Sequence, residues 1–115
     1  MDFKIIAPPR NFDVGHRDHT IKLSHVMNLT LAPDEQVTLI TERGGELDIC
    51  RKDWGYYATP SLNGRLKEFG YKCCLVDSGG KKFIHIVEED NLECYHKYLA
   101  EQNIKIVAWL DDDGN

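Results

Sequence analysis

Ile21, Leu23, His25, Met27, Leu29 and Leu31 alternate without interruption with Lys22, Ser24, Val26, Asn28 and Thr30. So long an alternation has the period of a strand with one face toward a core, and it commits the chain to building a sheet. His25 falls on the inward side. Ala32-Pro33-Asp34-Glu35 has the composition of a turn, with proline presetting its backbone angle. Gln36 to Glu42 is a second strand-like run, Gly44-Gly45 a tight turn, and Glu46 to Cys50 a third strand. The three strands are expected to form an antiparallel meander.

Phe3 to Ala7 has the character of a short edge strand that Pro8-Pro9 ends by removing two donors. Arg10 to His19 is polar, contains Gly15 and shows no periodicity, which predicts a loop. Residues 1–20 are therefore an N-terminal strand and a histidine-containing loop. Thr59-Pro60 has the form of an N-cap and first helical position for a helix closed by Gly70. Leu62, Leu66 and Phe69 would face inward, and Asn63, Arg65 and Lys67 outward. Tyr71 to Val76 and Lys81 to Glu88 predict a hairpin around Asp77-Ser78-Gly79-Gly80. Asp90 is placed to cap a second helix that ends at Asn103, Ile104 to Leu110 forms a last strand, and residues 111–115 form a frayed tail.

From Glu46 onward the order is strand, helix, strand, strand, helix, strand. The predicted fold is thus α+β: an antiparallel-rich sheet with an N-terminal three-strand meander, followed by a ferredoxin-like (split βαβ) arrangement with two helices. The alternative is a bent, partly closed β-barrel with two helices. A length of 115 residues suits a single domain, 1–115.

A formal charge of -5 with no concentrated basic face argues against nucleic-acid binding. No apolar run has the length of a membrane span, and Met1-Asp2-Phe3-Lys4 lacks the order of a secretion signal, so no membrane association and a cytoplasmic location are expected. Cys50, Cys73, Cys74 and Cys94 show no CxxC spacing and are expected as reduced thiols in or near the core. His16, Asp18, His19 and His25 are metal-ligand types, but two histidines in a loop define no ligand geometry; neither a metal nor a cofactor is assigned. Neither glycine pair is followed by a helix, as a phosphate loop requires, so both are hairpin turns.

The densest chemistry lies in Arg51 to Gly70, where Arg51, Trp54, Tyr56, Tyr57, Thr59, Asn63 and Arg65 bring cations, aromatic rings and a helix start together. The first functional expectation is a cleft binding a small polar or anionic molecule, with those residues as one wall and His16, Arg17 and His19 as the other. The second is a protein-interaction or homo-oligomeric assembly module, with a second copy as partner. The third is a small enzyme using His16 or His19 in acid–base or metal chemistry.

Overall fold

A computed structural model of the chain describes residues 1–112. It begins with two long antiparallel strands, β1 (Asp2–His16) and β2 (His19–Thr30), joined at Arg17-Asp18 with Arg17 in left-handed backbone at φ 49°. This corrects two expectations. The strand does not end at Pro8-Pro9, and Arg10 to His16 is not a loop. The ladder jumps from Ile5↔Met27 to Arg10↔His25, so the prolines occupy a bulge opposite Val26, where the missing N–H groups interrupt no ladder bond.

Directly paired residues share a face of a hairpin. Phe3↔Leu29, Ile5↔Met27, Arg10↔His25, Phe12↔Leu23 and Val14↔Ile21 stand on one side, while Lys4↔Asn28, Asn11↔Ser24 and Asp13↔Lys22 stand on the other. The hairpin is therefore sharply amphipathic. Yet neither strand contributes a buried residue, so the inward face expected of Ile21 to Leu31 is largely open. The reason is topological: β2 pairs with β1 and not with the next strand.

That next strand, β3 (Gln36–Ile40), forms its own three-stranded antiparallel sheet with β4 (Glu46–Lys52) and β5 (Gly55–Thr59). The meander exists, shifted one strand along the chain. Gly44, at φ 86°, turns β3 into β4. Gly45 lies so close to the Tyr71 ring that an added Cβ would fall 2.5 Å from it.

The third sheet has the order β7-β6-β8, built from β6 (Tyr71–Ser78), β7 (Lys81–Glu88) and β8 (Lys105–Trp109). Both outer strands are antiparallel to β6 and hence parallel to each other. They are joined through a 3-10 turn, Glu89–Asn91, and helix α2 (Leu92–Gln102). That is a split βαβ unit. The other half of a ferredoxin-like sheet is not formed, because both edges of β4 are occupied by β3 and β5. The three sheets do not close into a barrel. The architecture is α+β, with antiparallel sheets and two helices among the described residues.

The predicted helix from Pro60 is reduced to α1, Arg65–Glu68. Thr59 is the last rung of β5, opposite Asp48, so it is not available as a cap. Gly64, at φ -124° and ψ -112°, interrupts helical backbone where continuity would be needed. Gly70, at φ +88°, does close the segment. Asp90 lies within the 3-10 turn and pairs with Arg43 at 2.8 Å instead of capping α2, whereas Asn103, at φ 55°, ends that helix as expected.

The buried apolar set is small: Cys50, Leu66, Tyr71, Cys73, Cys74, Val76, Val87 and Leu99 among the described residues. Half of it belongs to β6, which is covered on both faces. Cys94 differs from the expectation for the cysteines and is exposed. Asp111 is also not frayed: it is fully buried, its carboxylate 3.1 Å from Lys72 Nζ and accepting the Cys73 N–H. Residues 113–115 of the expected tail lie outside the described residues. The accessible surface is 8310 Å², against about 6400 Å² for a compact chain of 13.2 kDa. The radius of gyration, 15.8 Å, likewise exceeds the about 13 Å of a compact chain this long.

Candidate functional site

The hairpin meets the rest of the molecule at its tip. Gln102, buried in the last turn of α2, accepts the His16 N–H at 2.7 Å and donates to the His19 carbonyl at 2.6 Å. One amide thereby satisfies a donor and an acceptor that a turn leaves unpaired. Gly15, at φ +121°, makes the approach feasible, since a Cβ there would lie 2.5 Å from the His19 carbonyl oxygen. The His19 ring points toward Glu101, with Nδ1 at 4.0 Å from Oε2. Arg17 lies exposed in the turn.

Below this clamp is a cavity of about 410 Å³. The hairpin supplies Val14, His16 and Ile21; Ser78, Phe83 and His85 come from the β6–β7 hairpin; Tyr98 and Ile104 close the wall on the helix side. His85 is fixed from behind. Its Nδ1 lies 2.7 Å from the Tyr95 hydroxyl, which is 3.1 Å from Cys74 Sγ, and its ring meets those of Tyr95 and Tyr98 edge-on. Burial lowers the His85 pKa from the ordinary histidine value and keeps the ring neutral at pH 7. Burial first, then the Cys74 thiol, raises the Tyr95 phenol, so this hydroxyl keeps its proton.

The Trp54 segment stands apart from this cavity. Trp54 lies in the β4–β5 turn, 70% exposed, with its ring stacked on Tyr57 at 6.2 Å. Tyr56 projects from the other face of β5, where the Arg51 guanidinium sits 5.8 Å from its ring centre. Arg51 Nη1 is buried and has no hydrogen-bond partner among the described residues. Arg65 packs over Phe69 at 5.4 Å, Thr59 is in the ladder, and Asn63 is in the turn before α1. So Trp54 meets Tyr57, and Arg51 meets Tyr56. The histidine loop docks on α2 instead, and of the ten expected site residues the cavity takes only His16. With four residues, α1 is too short to present the positive end of a helix.

Away from the tip, the apolar face of the hairpin carries Phe3 at 61% exposure, Ile5 at 53% and Leu23 at 43%, with Met27 and Leu29 beside them. Near its centre Arg10 Nε donates to His25 Nδ1 at 3.3 Å, and the other ring nitrogen donates to the Met27 carbonyl at 3.2 Å. His25 is thus a satisfied polar group within an apolar surface. The loop expected over Arg10 to His19 hides this surface from a reading of the sequence. The alternation of Phe12 and Val14 with Asn11 and Asp13 was the available signal.

Among the described residues no three His, Cys, Asp or Glu side chains gather as metal ligands, and no helix is long and apolar enough to cross a membrane. No family model, curated protein or solved structure matches the chain at a significant level.

Proposed function

We propose that the chain is a homo-oligomeric assembly module in which the apolar face of the β1–β2 hairpin packs on the same face of a second copy. The observation that carries this reading is that open face. A two-stranded hairpin is at best marginal in water unless its apolar side is covered, and here β1 and β2 contribute no buried residue. The surface surplus points the same way: about 1900 Å² beyond a compact chain of this mass, where a stable interface takes about 800 Å² from each partner. Phe3, Ile5 and Leu23 of one copy would pack on the same residues of the other, the self-complementary contact of a symmetric dimer.

Sedimentation equilibrium tests it. The chain is expected at twice 13.2 kDa, and Leu23→Glu combined with Ile5→Glu is expected to return it to monomer. A wild-type monomer whose β1 and β2 amides nonetheless resist hydrogen exchange would refute the reading, since the hairpin would then be stable uncovered.

A second reading, binding of a small polar or anionic molecule by the Trp54–Arg65 segment, is favoured by the unpartnered Arg51 Nη1 beside Tyr56. Phosphate and citrate should then raise the melting temperature in wild type and not in Arg51→Gln. Equal shifts in both would remove it.

A further inference from the structure

We propose that the cavity between the hairpin tip and the C-terminal end of α2 is a binding site for a small carboxylic acid with an apolar body. The site goes beyond the assembly reading and does not depend on it. Its walls divide by chemistry. Val14, Ile21, Phe83 and Ile104 would shed water onto an apolar body, while His16, His85, Ser78 and Tyr98 bring imidazole and hydroxyl groups to the same space.

The headgroup follows from what the lining holds and lacks. It contains no carboxylate, ammonium or guanidinium. No carboxylate there repels an acid group, and the imidazole and hydroxyl side chains of the lining offer it N–H and O–H donors. A pure hydrocarbon would offer the imidazole and hydroxyl groups no polar partner. An acid group accepts from N–H and O–H donors and leaves its body to the apolar wall, which satisfies both halves. Tyr95 occupies His85 Nδ1, so Nε2 is the nitrogen left for a guest. The volume, about 410 Å³, lies within the about 300–1000 Å³ usual for small-molecule sites.

Preorganisation strengthens the case. The clamp of Gln102 on His16 and His19 holds the hairpin wall, and the Cys74–Tyr95–His85 chain holds the opposite one, so little ordering is left for the guest to impose.

The test titrates the full chain with benzoate, following the histidine ring resonances by NMR and the heat by calorimetry, with benzyl alcohol and benzylamine as controls of similar body. Benzoate is expected to move the His16 and His85 signals and to bind about tenfold more tightly than either control. His85→Ala and His16→Ala should each weaken it by about tenfold. If His85→Ala does not fold, His16→Ala and Ser78→Ala carry the comparison. Unmoved His16 and His85 signals at saturating benzoate, equal affinity for benzyl alcohol, or benzoate binding unchanged in the folded variants would each overturn the proposal.

Discussion

Gln102→Ala should cost the chain about 2–4 kcal/mol, because the Gln102 amide makes the two bonds that fasten the hairpin tip to α2. A bond of this kind is worth about 1 kcal/mol net, but removing one partner instead costs about 1–3 kcal/mol for each buried backbone group left unpaired, about 2–6 kcal/mol for the two. Both bonded groups are only part-buried, so water recovers some of that loss and the lower half of the sum applies. Against a total stability of about 5–15 kcal/mol this is a large fraction. Urea unfolding measures it, at one fixed protein concentration, since self-association would make stability concentration-dependent. Hydrogen exchange supplies a local readout: amides at Gly15 and Thr20 should lose protection before those of β6. Gln102→Glu sharpens the test. Its carboxylate still accepts the His16 N–H but repels the His19 carbonyl, so its folded-state pKa rises and its deficit shrinks as pH falls through that pKa and a donor returns. A cost below about 0.5 kcal/mol for Gln102→Ala would refute the argument, placing the hairpin's hold elsewhere.

Three further outcomes follow from named contacts. Asp111→Asn should cost about 3 kcal/mol at pH 7 by leaving Lys72 without its carboxylate. Burial opposes the Asp111 charge, but the Lys72 ammonium and the backbone N–H bonds outweigh it and hold the carboxyl below its ordinary 3.8, so the contribution is present above that value and lost as pH falls through the depressed one. The gap between Asp111→Asn and wild type should therefore close in acid, as urea melts at several pH values would report. Gly45→Ala drives a Cβ to 2.5 Å from the Tyr71 ring and should lower stability by about 1–3 kcal/mol in thermal melts, mainly through strain. Tyr95→Phe removes the hydroxyl between His85 and Cys74 and should cost about 1–2 kcal/mol. NMR titration should show the His85 pKa still depressed in that variant, because its cause is burial.

The parts legible in the sequence are those fixed by neighbours along the chain. Gly79 and Gly80, at φ 59° and 90°, supply the left-handed backbone of a tight hairpin, and Asn103 supplies the one left-handed residue that ends α2. The crossover from β7 to β8 needed only lengths and periods. The segment around Thr59-Pro60 misled because its cap signals are local too, but the ladder between β4 and β5 had already claimed Thr59. The candidate site was barely legible. His16 was singled out, but its cavity is completed by His85, Tyr98 and Gln102, the last of them 86 positions away, and nothing in the spacing of those residues announces their meeting.

By itself the sequence determined that Ile21 to Leu31 is a strand with one apolar side, because side chains alternate across a pleated backbone whatever the rest of the molecule does. Only the tertiary structure decided what lies against that side. Strand pairing is chosen by long-range competition among edges, and here β1 took β2 while β4 took β3, leaving the apolar face covered at the His16 end by α2 and β7 and open at the Phe3 end. The open half supports the proposed assembly, and the gap under the covered half supports the proposed ligand site.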